Sequence, residues 1–465
     1  MLPNKAGREN PFARKQPDPG GRGTDSILNV HDRLSFLRSG MPSSGLLAEK
    51  EWRISDAAFP LSERHLALLE RLGPVLHQFV QGCNLLYRWS VQGKAPSWIA
   101  DLLDRGKPAE LVSISRHGAL ANQIPRVLRP DLLWTETGFA LCELDSVPGG
   151  IGLTAWLQER FSHWDSALLG GAGGMQEGFG SIFPAGDVVI SEEASSYRPE
   201  MEYLVGSERV RSAEDYRCSD RAIYRFFECF DWEKLSSIRK SFDPDRVSMT
   251  PPPKPYLEEK LWLALFWLRP LRDFWRRQLT DKGFRLLREI IPQSWIVDPA
   301  PLPPQAVYPG LEINDWRELG QLSQSERELV LKISGFSPLA WGSRGVFVGS
   351  DLARAEWEEQ IERALEDFAS HPWLLQRFVK GAIVEHQFFS SNGEEARMAG
   401  RVRISPYYFV VNGKTELRGA LATICPSDKK LIHGMRDAIL VPATREAGAH
   451  DPMGSRDRER KIGAA

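Results

Sequence analysis

Two short charged segments separated by one bend constrain this chain more than any other feature. Arg129-Pro130-Asp131 and Glu143-Leu144-Asp145 flank an apolar run from Leu132 to Cys142, and Pro148-Gly149-Gly150-Ile151-Gly152 follows. With Thr135 to Gly138 as the bend, the segment predicts strand, turn, strand. Side chains alternate along a strand. Phe139, Leu141, Glu143 and Asp145 are therefore expected on one face, and Arg129, Asp131 and Leu133 share a face of the preceding strand. A bend centred near Thr137 sets Asp131 opposite Glu143 and Arg129 opposite Asp145. Such neighbours have Cβ atoms roughly 4.5–5.5 Å apart, so three carboxylates and a guanidinium converge. Like charges across a ladder destabilise it. Two readings remain: a divalent cation such as Mg²⁺ between hard oxygens, or a solvated ladder in which Arg129 pairs with Asp145.

A chain of 465 residues suggests about three domains. Its 59 basic and 61 acidic residues leave a formal charge of −2, which gives no reason to expect nucleic acid or a membrane as partner. Five cysteines at wide spacing, with no C-x-x-C, argue against a cysteine zinc site and for a reducing compartment. No secretory h-region and no apolar run of membrane-spanning length is present, so a cytoplasmic protein is expected. The fifteen Trp are scattered singly, as core residues are.

Residues 1–45 are rich in Pro, Gly and charge and read as disordered. From Ser62, Leu66, Leu69, Leu72, Leu76 and Phe79 recur at helical spacing, with a break or kink expected at Gly73-Pro74 and with His65 and His77 on the polar side. A short helix is expected over Pro96–Asp104 and another from Thr154 to Arg160. The glycines of 170–180 lack a Walker ending and a preceding strand, so they read as a flexible connection. Asp187–Ser191, a helix to Leu204, and segments at 208–212 and 221–227 suggest a small parallel α/β unit. Tyr256 to Phe274 reads as one apolar helix with Glu258, Glu259 and Lys260 near its start. Ser323 to Glu326 is a capping box for a further short helix. Asp351–Ala369 is an amphipathic helix between strands at 328–334 and 373–379. Strands at 384–390, 397–405 and 407–411 follow, then Asn412-Gly413 as a hairpin turn into 414–422. The resulting division is 1–45, 46–185, 186–305, 306–443 and a tail at 444–465.

Within the last large segment, a strand carrying Lys332 precedes a loop of Gly342, Ser343, Arg344 and Gly345, then a helix, then a strand carrying Gln376. Lysine serves phosphate as a point charge, and glycines let backbone N–H groups approach it. Taken singly, Lys332 could equally be a snorkelling strand lysine and Gln376 a half-exposed strand residue.

Taken together, Val-Leu-Lys332-Ile-Ser, Gly-Ser-Arg-Gly345-Val and Leu-Leu-Gln376-Arg-Phe-Val resemble the core of the ATP-grasp superfamily. The acidic motif lies upstream, as Arg129-x-Asp131 and Glu143-x-Asp145. That order resembles the circularly permuted members, and in particular the synthetase domain of glutathionylspermidine synthetase. The likeness spans roughly residues 110–440 in motif order. It implies an α/β (α+β) chain with an ATP-grasp-like fold in permuted order, a helical N-terminal region and a small parallel pre-ATP-grasp unit. It also implies ATP and Mg²⁺ as cofactors. Asp131, Glu143 and Asp145 would hold the metal, although the family has Asn where this chain has Asp145. Arg129 would steady the transferred phosphoryl group. Lys332 would bind phosphate beneath a lid of Gly342–Gly345, and Gln376 would lie near adenine. Arg403 is the candidate second arginine, with Arg401 its rival. The implied activity is ATP-dependent ligation of a small-molecule or peptide carboxylate to an amine through an acyl phosphate. The alternatives are a non-catalytic nucleotide- or partner-binding protein of the same fold and a helix-rich interaction protein.

Overall fold

Alternating apolar patterns place fifteen strands in the computed structural model, which describes residues 30–40, 52–432 and 437–446. In chain order they are β1 (Phe59–Leu61), β2 (Val127–Thr135), β3 (Gly138–Asp145), β4 (Asp187–Ile190), β5 (Val210–Ser212), β6 (Ile223–Phe226), β7 (Met249–Thr250), β8 (Ser294–Val297), β9 (Leu329–Ile333), β10 (Val346–Val348), β11 (Trp373–Arg377), β12 (Ile383–Phe389), β13 (Glu395–Val411), β14 (Lys414–Pro426) and β15 (Ile439–Arg445). They form three sheets. A seven-stranded sheet runs β1-β15-β14-β13-β2-β3, with β12 paired to β13. A four-stranded antiparallel sheet runs β10-β9-β11-β8. A four-stranded parallel sheet runs β5-β4-β6-β7. The chain is thus mixed α/β, and the expected small parallel unit is present as that last sheet.

Helix Glu63–Val91 covers the large sheet and is capped by Ser62, which accepts from the His65 N–H. It runs through Gly73-Pro74 without a break, contrary to the sequence expectation. Its apolar residues are buried on both sides of the proline. A Cβ on Gly73 would lie 2.5 Å from the Tyr408 ring. The Tyr408 hydroxyl donates to the Leu69 carbonyl at 2.7 Å, in the turn that Pro74 perturbs. Packing on the sheet therefore outweighs the local cost of proline. The two histidines are also not on a polar side. His77 is buried, and His65 lies 4.2 Å from the Trp134 ring. Burial lowers the pKa of both.

Other expectations change for similar reasons. The glycine-rich 170–180 segment is no flexible connection, because helix Gly174–Ile182 occupies most of it. A Cβ on Gly178 would lie 2.4 Å from the Phe409 ring, and one on Gly174 would lie 2.4 Å from the Arg418 carbonyl oxygen. These glycines serve close helix-to-sheet approach. The apolar 256–274 run breaks into helices Trp262–Trp267 and Arg272–Gln278 around Arg269-Pro270, since the residue before proline resists helix. Ser323 and Glu326 do bond, but only a turn follows. The two strands expected at 397–405 and 407–411 are one, β13, with a register shift at Tyr407/Tyr408 that absorbs Pro406. Within the segment expected to be disordered, Val30–Ser39 is helical. The rest of 1–29 and 41–45, and the tail beyond 446, lie outside the described residues.

Three consecutive charges hold the sheets together. Glu258 pairs with Arg225 of the parallel sheet and accepts from the Cys229 N–H at 3.0 Å. Glu259 pairs with Lys107 and accepts from the Ser334 hydroxyl at 2.7 Å and the Gly335 N–H at 3.0 Å, at the end of β9. Lys260 pairs with Glu143 of β3 at 3.1 Å. Both side chains of the Lys107–Glu259 pair are fully buried. Removing one partner strands the other charge, so Glu259→Ala is expected to cost about 3–5 kcal/mol in chemical denaturation. Glu177→Ala, which breaks a surface pair with Arg418, is expected to change the midpoint little.

Candidate functional site

The β2–β3 hairpin pairs Arg129 with Asp145 and Asp131 with Glu143, as expected from sequence, but by a different route. The turn closes at Thr135–Gly138, one half-step earlier than a bend at Thr137, and a register shift after Asp131 restores the pairing. The extra residue is Cys142. The bulge also changes the faces. Phe139 and Leu141 turn into the core, while Glu143 and Asp145 turn to the opposite side, so the four do not share a face.

Here a cleft of about 280 Å³ opens where the three sheets meet. The floor is Arg129, Asp131, Glu143 and Asp145 with Arg403, Ser405, Tyr407 and Thr423 of β13 and β14. One wall is Ala194, Tyr197 and Phe226–Glu228, which follow the carboxyl ends of parallel strands β4 and β6. Ligand sites of open α/β sheets lie at such strand ends. The other wall is Lys260 with Gly335, Ala340 and Gly342 of the loop after β9.

The carboxylates are closely partnered. Asp131 accepts from the Ser405 hydroxyl and from Arg403 Nη1, both at 3.0 Å, and lies 3.1 Å from Arg129 Nε. Burial would raise its pKa, but Arg129 and Arg403 hold it below the ordinary carboxylate range. Asp145 takes Arg129 Nη2 at 2.9 Å and the Val147 N–H at 2.8 Å. Burial keeps its pKa raised despite Arg129, with Glu143 adding to the rise. Glu143 pairs with Lys260. Between Asp145 and Arg129, pairing is what the geometry holds. Hard oxygens suit Mg²⁺, yet among the described residues no three His, Cys, Asp or Glu side chains are placed to hold a metal ion. As paired, these carboxylates do not fit a divalent cation, because Asp131 already faces two guanidiniums and a hydroxyl.

Lys332 and Gln376 stand beside the cleft and do not line it. The Lys332 ammonium donates to Gln376 Oε1 at 2.8 Å and to the carbonyl of the bulged Cys142 at 2.9 Å. Burial lowers its pKa, against the nearby Cys142 and Glu143. Gln376 in turn donates to Ser294 at 3.0 Å. Of the loop residues, Gly342 lines the cleft with φ +62°. Gly345 is buried against Ile333, and Arg344 turns away to the Pro338 carbonyl at 2.7 Å. The backbone of Ser343 ends the turn Pro338–Ser343. Arg403 reaches the cleft, whereas its rival Arg401 donates to the Lys429 carbonyl at 2.9 Å and to that of Ser427.

Among the polar cleft residues that escaped the sequence reading are Lys260, Glu258, Glu228 and Ser405, with Tyr197, Tyr407 and Thr423 beside them. The signal for the first two was three charges at the head of a strongly apolar run. Glu228 has its pKa raised well above normal by burial, with Glu258 and Asp145 adding to the effect.

No family model matches the chain, and no curated protein does. Among solved structures, it is similar to a glutathione synthetase-like effector (GSS30) from Globodera pallida in its apo form. That match has TM-score 0.50 and 11% identity, over 90% of this chain and 97% of that one. A protein designated a gamma-glutamylcysteine synthetase from Methylobacillus flagellatus KT matches with TM-score 0.35 and 11% identity, over 80% and 89%. The first likeness shows a common fold; the second is too low to carry an argument.

Beside the cleft, Glu200 fills the N-terminus of helix Ile151–Phe161. It accepts from the Leu153 N–H at 3.0 Å and is 2% exposed. Burial pushes its pKa up to about 7, against the Leu153, Gly150 and Gly152 N–H groups. An acid with a raised native pKa stabilises the fold fully below its unfolded pKa and loses that contribution as pH rises through the native value. The contribution of Glu200 to stability is therefore expected to fall between about pH 4.5 and 7, by about 3 kcal/mol at roughly 1.4 kcal/mol per unit, while the buried His65 and His77 act in the opposite direction. Denaturation of Glu200→Gln across the same range should show a clearly smaller fall.

Proposed function

We propose that this protein is an ATP-dependent carboxylate–amine ligase with an ATP-grasp-like fold in permuted order. One observation carries the reading. The Arg129–Asp145 hairpin and the loop after β9, nearly two hundred residues apart, border a single cleft, with Lys332 hydrogen-bonded to the hairpin itself. The fold likeness to a glutathione synthetase-like effector supports it. A substrate carboxylate oxygen would attack the γ-phosphorus while the bond to ADP breaks. The amine nitrogen would then attack the acyl carbon and lose a proton as phosphate departs. Arg129, Arg403 and Lys260 would face the negative charge, and charge stabilisation with positioning would supply the rate. The cleft is near the lower end of the ~300–1,000 Å³ usual for small-molecule sites, so a whole nucleotide would need the Pro338–Ser343 turn to move outward.

A second reading, a non-catalytic binding protein of this fold, is favoured by the saturated Asp131 and by the Lys332–Gln376 bond. Calorimetry with ATP, in the presence of Mg²⁺, on the wild type and on Glu143→Ala, Lys260→Ala and Lys332→Ala tests the site. Loss of one charged hydrogen bond is worth about 1.5–3 kcal/mol, so Lys260→Ala, whose lysine lines the cleft, should bind at least about tenfold more weakly. Equal affinity in all four proteins sinks the assignment. ADP release with a library of carboxylates and amines separates the two readings: turnover supports the ligase, and binding without turnover the second reading.

A further inference from the structure

A near-balance of charge over the whole chain conceals a local excess. Between Arg269 and Arg288 lie six arginines and Lys282, against two acids, Asp273 and Asp281. All seven cations are exposed. Among the described residues none of the seven makes an ion pair, although cations on either side in sequence, Lys260 and Arg317, do. Helix Asp281–Ile290 buries Phe284, Leu287 and Ile290, so Lys282, Arg285 and Arg288 lie on its outward side.

Local stability accounts for only some of these charges: Arg276, Arg277 and Arg288 lie in the last turns of their helices, where the dipole favours cations. Arg269 and Arg272 sit at the N-terminal end of helix Arg272–Gln278, where the helix dipole disfavours cations. The Arg288 guanidinium lies 3.5 Å from the centre of the Trp267 ring. Burial lowers its pKa, and the charge of Arg272 lowers it further, so guanidiniums from successive helices repel each other. The Trp267 Nε1 is buried and has no hydrogen-bond partner. Donors collect here, and among the described residues the acceptor they meet is the Asp281 carbonyl, which takes Arg285 Nε at 3.2 Å.

Apolar side chains adjoin this face. Helix Arg272–Gln278 lies along the second half of helix Glu63–Val91. A Cβ on Gly82 would meet Trp275 and Gln278, and Phe274 packs edge-on against Trp89 at 5.8 Å. Nearby, Val91 and Trp98 are exposed by 40% and 41%, two of the four large apolar side chains that are exposed among the described residues. The Ser90 hydroxyl holds this corner by donating to the Pro96 carbonyl at 2.6 Å and accepting the Ala100 N–H at 3.0 Å.

We propose that this face docks reversibly on an anionic lipid bilayer, with the arginines on lipid phosphates and Trp98 in the headgroup layer. Guanidinium groups match phosphate oxygens bidentately, and Trp favours the membrane interface. Several cations near such a surface add to the attraction. No helix among the described residues is long and apolar enough to cross a membrane, so the attachment is peripheral. Single-stranded nucleic acid fits less well, because it needs open aromatic platforms and Trp267 is covered by Arg288.

The test is flotation of the full chain with phosphatidylcholine vesicles, with and without phosphatidylserine. Wild type should float with the anionic vesicles only, and raised salt should release it. Charge reversal in R272E/R288E should weaken partition at least about tenfold, and Trp98→Ala should weaken it without changing its salt dependence. Reversal of a distant exposed arginine, R354E, should leave partition unchanged. Thermal melts check that each variant is folded. Equal partition to both vesicle types, an R272E/R288E variant that floats like wild type, or tighter binding to an oligonucleotide than to anionic vesicles at the same salt would overturn the proposal.

Discussion

Glu258, Glu259 and Lys260 are the constraint on which the assembly depends. Each of three successive residues reaches a different sheet: Arg225 of the parallel sheet, Ser334 and Gly335 at the end of β9, and Glu143 of the large sheet. A buried charge without a partner costs several kcal/mol. The three sheets must therefore meet wherever all three residues can be satisfied together. The cleft is the space left at that meeting point, and two of the three, Glu258 and Lys260, line it.

The bulge at Cys142 is the second determinant. Without it, Phe139 and Leu141 would share a face with Glu143 and Asp145, and either the core or the cleft would receive the wrong side chains. The extra residue lets the hairpin be apolar on one side near its turn and charged on the other near its base. It also frees the Cys142 carbonyl to accept from Lys332, which ties the antiparallel sheet to the hairpin. The same bond keeps Lys332 behind the cleft wall, so Lys260 is the lysine that lines the cleft.

Much of the architecture was legible in the chain itself. The short parallel strands after Asp187 and the strands bearing Lys332 and Gln376 follow from short apolar runs bounded by turn residues, while the partners Arg129–Asp145 and Asp131–Glu143 were legible but not the bulge that sets them. What was illegible shares one cause. Pro74 inside a helix, glycines 174 and 178 inside another, and Pro406 inside a strand each look like interruptions locally. Each is tolerated because a partner distant in sequence, such as Tyr408 or Phe409, packs against it.

Sequence alone determined on which strands the charged candidates Arg129, Asp131, Glu143, Asp145, Lys332 and Arg403 lie, because strand and turn propensities act over a few residues. Only the tertiary structure decided what those side chains do. Asp131 and Asp145 neutralise arginines and do not stand open to a cation, Arg403 enters the cleft while Arg401 leaves it, and Lys260 takes the place expected of Lys332. Charge pairing depends on distances of about 3 Å between groups from separate strands, and no local pattern in a sequence encodes those distances.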